Sequence, residues 1–239
     1  MPVTTIKKKL LSWTRLVRLP NLFTLPGDIM VGYFFTGQDN PALLGCLVLV
    51  SLCLYSAGII QNDLCDLGED RSYRLARPLV TGAITPRQAK IALAILLCTA
   101  IFFSASGGRY SILCAALLLG MILFYNSKAR RWKYVGFAVM GLLRAGNMLL
   151  GASAMIHMLS PGLVAVACCE AAYVFVICVL AHNERTASKQ TAAVTLLIRG
   201  LMPLQCLFLI AGGCPIAALA VACLIPCNML LVRKGYYAT

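Results

Sequence analysis

The chain has 239 residues, of which 60% are hydrophobic and only 12% are charged, and its formal net charge is +13. This composition excludes an ordinary soluble domain and leaves a polytopic helical membrane protein as the class that fits. The basic excess does not indicate nucleic acid, because the chain has no basic domain to bind it. We expect one membrane domain over residues 1–239, since no polar stretch is long enough to fold by itself.

Eight apolar stretches have about the length that a membrane-spanning helix needs. They cover residues 20–37, 41–61, 89–106, 110–126, 135–156, 162–181, 192–212 and 215–232. Nearly all Lys and Arg residues outside these stretches lie on one predicted side, and Arg109 falls on the other. The positive-inside rule therefore predicts that both termini, the acidic segment at 62–70 and the basic loops lie in the cytoplasm. We expect the membrane to be the inner (cytoplasmic) membrane.

An acid-dense segment follows the second predicted span, and it reads Asn62-Asp63-Leu64-Cys65-Asp66-Leu67-Gly68-Glu69-Asp70. Asp63, Asp66 and Asp70 are spaced i, i+3 and i+7, so on a helix they share one face. Carboxylates aimed together repel unless a cation lies between them, and a few hard oxygen ligands suit Mg²⁺. We predict that Asn62, Asp63, Asp66 and Asp70 are catalytic residues and magnesium ligands. The alternative is a solvated acidic loop.

Basic residues follow the acidic segment, with Arg71, Arg74 and Arg77 preceding Pro78. Arginine pairs bidentately with phosphate oxygens, so acids for a metal beside bases for phosphate suit a diphosphate. Positive-inside topology alone is the alternative reading of these arginines. Lys128 closes the fourth span on the same side, where it either reaches a phosphate or extends its amine to the interface.

Arg144 lies about ten residues into the fifth predicted span, where a charge costs about 2.5–3.5 kcal/mol on insertion scales. Asn147 and Gly151 follow at i+3 and i+7 and give this helix a polar face of small residues. Asp28 and Glu170, which are also inside predicted spans, are candidate partners. These residues form either a structural ion pair or the wall of a polar cavity.

Together these motifs resemble the UbiA superfamily of intramembrane prenyltransferases. The likeness covers most of the chain and is carried by N-D-x-x-D-x-x-x-D at 62–70, R-P-L-x-x-G at 77–82, L-V-R-L-P-N-L-F-T at 16–24, Phe124-Tyr125-Asn126 with Lys128, and Arg144 through Asn147 to Gly151. The resemblance implies an all-α bundle of about eight or nine transmembrane helices around a cavity open to lipid. It also implies Mg²⁺-dependent transfer of a prenyl group from a polyprenyl diphosphate to an acceptor that is often aromatic.

The family's second acidic motif is altered in this chain. Where the family has D-x-E-x-D after the sixth span, the sequence reads His182-Asn183-Glu184-Arg185-Thr186. One interpretation is that one metal ion suffices, with Arg185 and Lys189 neutralising phosphate. A second is that His182, Asn183 and Glu184 form a variant site, and a third is that the reaction has been lost. The superfamily also includes degenerate members of biosynthetic clusters that are thought to handle a precursor or lipid.

The resulting hypothesis is a prenyltransferase with a polyprenyl diphosphate, an unassigned acceptor and membrane lipid as partners, and with no nucleic acid or protein partner. The predicted diphosphate-binding residues are Arg71, Arg74, Arg77, Lys128, Arg185 and Lys189. The predicted cavity residues are Tyr125, Arg144, Asn147, His182, Asn183 and Glu184. The alternative function is a non-catalytic UbiA-like protein that binds or transports a lipid or biosynthetic precursor.

Overall fold

A computed structural model describes residues 3–186 and 192–233, and within these ranges the chain forms α-helices and no β-strand. The helices are α1 (Val3–Leu16), α2 (Leu19–Leu22), α3 (Leu25–Phe35), α4 (Pro41–Cys65), α5 (Leu67–Tyr73), α6 (Pro86–Ser104), α7 (Arg109–Ser127), α8 (Lys133–Ala152), α9 (Pro161–Thr186), α10 (Ala192–Ala211) and α11 (Pro215–Arg233). Short 3₁₀ turns follow α6, α7 and α8 at Ala105–Gly107, Ala129–Arg131 and Ser153–Met158. The predicted all-α architecture is confirmed.

Several helices have the length and hydropathy that membrane crossing requires. Within the described residues five segments meet both conditions, and they match the second to sixth predicted spans: Pro41–Cys65, Pro86–Gly107, Arg109–Ser127, Lys133–Met158 and Pro161–Asn183. The shorter apolar segments Leu196–Ala211 and Pro215–Leu231 match the seventh and eighth. The chain is therefore an integral membrane protein, and the total of eight spans stays a prediction.

The first predicted span, residues 20–37, is not one helix. It is divided between α2 and α3, which are separated at Thr24. Pro20 and Pro26 are each the second residue of their helix, where a missing amide proton is tolerated, but neither residue can continue a preceding helix. The two prolines restart the helix, so this stretch is interrupted, and its assignment as a membrane span stays a prediction. The 11-residue α3 is about 16 Å long, roughly half of a hydrocarbon core.

Glycines allow α3 and α8 to cross in close contact. A Cβ on Gly32 would lie 1.8 Å from the carbonyl oxygen of Met148, and one on Gly151 would lie 2.2 Å from that of Ile29. No side chain fits at either distance. Small residues at helix crossings are typical of membrane bundles, where the backbones approach each other closely.

An apolar cluster holds the segment between α5 and α6 against the end of α4. Its buried members are Leu16, Ile60, Leu79, Ile84 and Ala89. The amide of Ile84 donates to the carbonyl of Pro78 over 3.2 Å, which closes the turn between them. This packing fixes the residues around Arg77 above the acidic end of α4.

Candidate active site

The acidic segment lies at a bend between two helices. Helix α4 ends at Cys65, Asp66 occupies the bend, and α5 begins at Leu67. Backbone hydrogen bonds continue through the bend, from the Asp66 amide to the Asn62 carbonyl over 2.9 Å and from the Asp70 amide to the Asp66 carbonyl over 2.8 Å. The segment is therefore close to helical, but it is not the single uninterrupted helix that the spacing suggested.

Arg77 joins two of the carboxylates. Its Nη1 donates to Asp63 Oδ1 over 2.9 Å and to Asp70 Oδ2 over 2.5 Å. Arg74 lies 3.6 Å from Asp70, and Arg18 lies 3.8 Å from Asp63. Asp63 and Asp70 thus share the Arg77 guanidinium. This agrees with the i, i+7 spacing, which predicts that the two side chains lie on one helix face.

Asp66 has a separate set of partners. Its carboxylate accepts a hydrogen bond from Arg130 and another from the Asn62 side chain over 3.2 Å. Arg130 also approaches the side-chain oxygen of Asn62 at 3.4 Å. The hydrogen bond to Asp66 raises the pKa of the Arg130 guanidinium above its ordinary value, so this residue stays charged.

The three carboxylates are buried, with residue exposures of 4% for Asp63, 8% for Asp66 and 3% for Asp70. Arg18, Arg74, Arg77 and Arg130 are the cations that contact them. Buried carboxylates persist only when they are paired and hydrogen-bonded, which this arrangement provides. The same four guanidinium groups offer the planar donors that phosphate oxygens accept.

Asn126 fixes the position of the turn that carries Arg130. Its side chain donates to the Gly58 carbonyl over 3.0 Å and to the Gln61 side-chain oxygen over 2.9 Å, which ties the end of α7 to α4. The Ala129–Arg131 turn begins three residues later and brings Arg130 over the motif. Arg131, the next residue, is exposed.

The other predicted diphosphate-binding residues are less closely placed. Arg71 and Lys128 are exposed, and neither is among the cations that contact the buried carboxylates. Arg185 lies in the last turn of α9, and its side chain is outside the described part of the structure. Lys189 lies outside the described residues altogether. Their roles stay predictions.

The predicted cavity residues fall into two groups. Tyr125 and His182 are half-buried, Asn183 is exposed, and the His182 ring lies 5.8 Å from the Phe137 ring. Glu184 continues α9, but its side chain is outside the described region. The three interpretations of the altered second motif therefore stay predictions.

Arg144 and Asn147 form the second group, and here the ion-pair interpretation is confirmed. Arg144 Nη2 lies 3.0 Å from Asp28 Oδ1 and 3.1 Å from Glu170 Oε1. Asn147 donates to Asp28 Oδ2 over 2.9 Å. These residues face each other inside the bundle, and their assignment to the wall of a substrate cavity stays a prediction.

Two partners of the motif escaped sequence reasoning. The charge pattern assigns both Arg18 and Arg130 to the cytoplasmic side, and Arg18 lies in the 16–24 segment that resembles the family. Neither is predicted to contact the motif, because separation along the chain gives no periodic signal. Arg18 is also the one residue other than glycine with a positive φ, 51°, within the described ranges. That conformation lies at the turn from α1 into α2, close to the Asp63 carboxylate that Arg18 contacts.

The donor set fits a magnesium ion that is shared with phosphate better than one held by protein alone. In the described ranges, no three His, Cys, Asp or Glu side chains are arranged to hold a metal ion. The predicted ligands instead form two pairs, Asn62 with Asp66 and Asp63 with Asp70. Magnesium is usually bound by one or two carboxylates, with water and substrate phosphates completing its shell. Either pair matches that requirement.

An apolar pocket of about 50 Å³ lies beside the motif between α4, α6 and α7. It is lined by Ala57, Gly58, Gln61, Leu93, Leu97, Leu119, Ile122 and Leu123. This volume is well below the roughly 300 Å³ at which small-molecule pockets begin. The pocket is therefore too small to enclose a small-molecule ligand.

The fold and the site define a polytopic α-helical membrane protein with a buried carboxylate–arginine cluster where α4 ends. Residues 25–237 match the profile of the UbiA prenyltransferase family. The chain belongs to the UbiA prenyltransferase family.

Curated relatives have names that describe different reactions. The chain is 28% identical over 148 residues to digeranylgeranylglyceryl phosphate synthase of Methanocaldococcus jannaschii. The aligned region covers 60% of this chain and 52% of the relative. It is 28% identical over 108 residues to 4-hydroxybenzoate octaprenyltransferase of Actinobacillus pleuropneumoniae. Here the aligned region covers 44% of this chain and 36% of the relative. The chain thus spans about half, or less, of the curated relatives it matches.

Solved structures share the fold. A digeranylgeranylglyceryl phosphate synthase structure aligns with a TM-score of 0.65 at 19% identity and covers 95% of this chain and 88% of that one. A UbiA homologue from Archaeoglobus fulgidus, bound to DMAPP and Mg²⁺, aligns with a TM-score of 0.62 at 15% identity and covers 93% and 86%. At these identities the likeness establishes the fold alone.

Proposed function

We propose that the protein transfers a prenyl group from a polyprenyl diphosphate to an acceptor within the membrane, with Mg²⁺ as cofactor. The observation that carries the proposal is the set of three buried carboxylates held by four arginines where α4 ends. At this place the acids that suit a metal ion form direct ion pairs with the arginines that suit phosphate. The diphosphate–Mg²⁺ complex of the Archaeoglobus fulgidus homologue supports the same ligand class.

Binding requires the arginines to exchange partners. Arg77 and Arg130 now neutralise the carboxylates, so an incoming diphosphate competes for the same guanidinium groups. When these arginines turn to phosphate, Asn62 with Asp66, or Asp63 with Asp70, are freed to hold the metal ion. Bound magnesium supplies charge neutralisation for the leaving diphosphate. Arg77 and Arg130 add hydrogen bonds to the same developing charge.

The reaction itself balances without a further co-reactant. The bond between the allylic carbon and the diphosphate oxygen breaks, and its electron pair leaves with diphosphate. An electron-rich acceptor supplies the pair for the new bond and loses a proton.

The location of the site follows from the charge pattern. We place the chain in the cytoplasmic membrane, with the motif and both termini on the cytoplasmic side, because the basic loops share that side. The acceptor is left unassigned, since the relatives above have names that describe different reactions. Residues 1–239 are treated as one membrane domain.

The proposal is tested with full-length protein in nanodiscs, radiolabelled prenyl diphosphates of several lengths, Mg²⁺ and a lipid extract as the acceptor source. We expect Mg²⁺-dependent binding of diphosphate and label transfer, and Asp66→Asn is expected to abolish both. Asp39→Asn, at an exposed loop carboxylate, is the matched control and should leave both unchanged. Wild-type protein that binds no prenyl diphosphate, or an Asp66→Asn variant that binds like wild type, contradicts the proposal.

A second candidate function is a carrier that keeps the fold and binds an isoprenoid lipid without turnover. The observation that favours it is the loss of aspartates at His182 and Thr186, where the family's second motif has them. This candidate predicts a lipid that copurifies, is identified by mass spectrometry and exchanges between vesicles without Mg²⁺. Turnover by the wild-type protein excludes a purely carrier role.

A further inference from the structure

A second cluster of charged groups is buried among α3, α8, α9 and α10, apart from the acidic motif of α4 and α5. Asp28, Glu170 and Gln205 are 0% exposed, and the Arg144 side chain is 12% exposed. Asn147 and Thr24 complete the cluster. Arg144 and Asn147 are predicted cavity residues, but neither the family match nor the proposed prenyl transfer explains why two acids are buried beside them.

The hydrogen bonds of the cluster converge on two carboxyl groups. Arg144 contacts Asp28 Oδ1 at 3.0 Å and Glu170 Oε1 at 3.1 Å. Gln205 Nε2 contacts the same two oxygens at 2.5 Å and 3.3 Å. Asn147 donates to Asp28 Oδ2 over 2.9 Å, so both Asp28 oxygens have partners.

The charges of the cluster do not balance when every group is ionised. One guanidinium, on Arg144, faces two carboxylates, on Asp28 and Glu170, which leaves one negative charge in excess. Within the described residues, Tyr55 on α4 also acts electrostatically on Arg144, and Glu170 acts on Tyr173 of α9, but a tyrosine hydroxyl supplies no positive charge. An unpaired charge in the interior of a membrane bundle is strongly unfavourable, so one positive charge is missing.

Two buried atoms show where the missing charge belongs. Glu170 Oε2 and Gln205 Oε1 are buried acceptors without a hydrogen-bond partner. A proton on Glu170 Oε2 converts that atom into a donor and removes the excess charge in the same step. Gln205 Oε1 is the cluster's other buried acceptor without a partner, and it belongs to the amide whose Nε2 contacts Glu170 Oε1. A Cβ on Gly27 would lie 2.0 Å from Gln205 Oε1, so a larger residue at position 27 would clash with the Gln205 side-chain amide.

We propose that this cluster is a proton-binding site inside the membrane bundle: Asp28 and Glu170 together retain one proton at neutral pH. The folded protein then holds α3, α8, α9 and α10 together through a neutral network. Replacing either acid by its amide removes the need for the proton, because Arg144 balances the acid that remains. Replacing Arg144 by glutamine creates a need for a second proton.

Infrared spectroscopy of the full chain in nanodiscs tests the proposal. At pH 7 the wild type should show the C=O stretch of one protonated carboxyl, identified by its shift in D₂O. The stretch should be absent from both Glu170→Gln and Asp28→Asn, and Arg144→Gln should show two. Glu69→Gln, at an exposed acid of the α5 helix, is the matched control and should keep the wild-type band. No protonated carboxyl in the wild type, or a band that persists in Glu170→Gln or Asp28→Asn, overturns the proposal.

The pH dependence of stability gives an independent readout that does not require turnover. The folded protein binds one more proton than the unfolded chain near neutral pH, so raising the pH favours unfolding. One proton corresponds to about a tenfold rise in the unfolding equilibrium constant for each pH unit. Glu170→Gln should lack this tenfold rise in the unfolding equilibrium constant per pH unit, and Glu69→Gln should keep it. Equal slopes in the wild type and Glu170→Gln, or stabilisation of the wild type by Na⁺ at fixed pH and ionic strength, overturn the proton assignment.

Discussion

Replacing Arg77 with methionine removes the guanidinium that joins Asp63 to Asp70. The Arg77 side chain is 16% exposed, and those of the two acids are 6% and 5% exposed, so this is a largely buried ion-pair network. Breaking a buried pair by removing one partner costs about 3–5 kcal/mol. Arg18 at 3.8 Å and Arg74 at 3.6 Å remain and soften the loss. We therefore expect Arg77→Met to lower the free energy of unfolding by about 3 kcal/mol.

The assay is reversible unfolding in mixed detergent micelles, followed by tryptophan fluorescence. Arg71→Met removes a neighbouring exposed arginine and is expected to change stability by no more than about 0.5 kcal/mol. Adding Asp70→Asn to Arg77→Met should restore part of the stability, because it removes one of the two carboxylates left without this partner. An Arg77→Met protein as stable as Arg71→Met, or a double variant less stable than Arg77→Met alone, refutes the reasoning.

Three further predictions concern the site and the bundle. Arg130→Gln should weaken prenyl diphosphate binding by about 2–5 kcal/mol in a direct binding assay, because it removes a hydrogen-bond donor to phosphate from a buried site. Arg131→Gln, at the next and exposed arginine, should have little effect. Chelation of divalent metal with EDTA should abolish label transfer and leave the folded protein intact by circular dichroism, and Mg²⁺ should restore transfer. Gly32→Ala should destabilise the protein by about 1–3 kcal/mol in detergent unfolding, because its Cβ would lie 1.8 Å from the Met148 carbonyl oxygen. Gly45→Ala should leave the stability unchanged, because a Cβ there has nothing within 4 Å.

Hydropathy and periodicity predicted most of the helices but missed the break near the N-terminus. The long apolar segments are helical because every backbone group in a bilayer must be satisfied within its own segment. Residues 20–37 have the same hydropathy signal, yet Pro20 and Pro26 divide them into α2 and α3. Mean hydropathy does not detect such a break, whereas the proline positions do.

The site was only partly predictable for a related reason. The partners of Arg144 were proposed correctly because charges inside apolar stretches are few and must pair. The contact between Arg130 and Asp66 joins residues on either side of α6 and α7, and no local spacing distinguishes Arg130 from the exposed Arg131. Gln205 was missed because an uncharged polar residue in an apolar helix gives too weak a signal.

Binding of geranyl diphosphate to the purified protein, measured by calorimetry with and without Mg²⁺, tests the central claim most directly. The account predicts that the wild type and Asp39→Asn bind only when Mg²⁺ is present, and that Asp66→Asn does not bind under either condition. Equal binding without the metal, or binding by Asp66→Asn with wild-type affinity, would contradict the assignment of the end of α4 as a magnesium–diphosphate site.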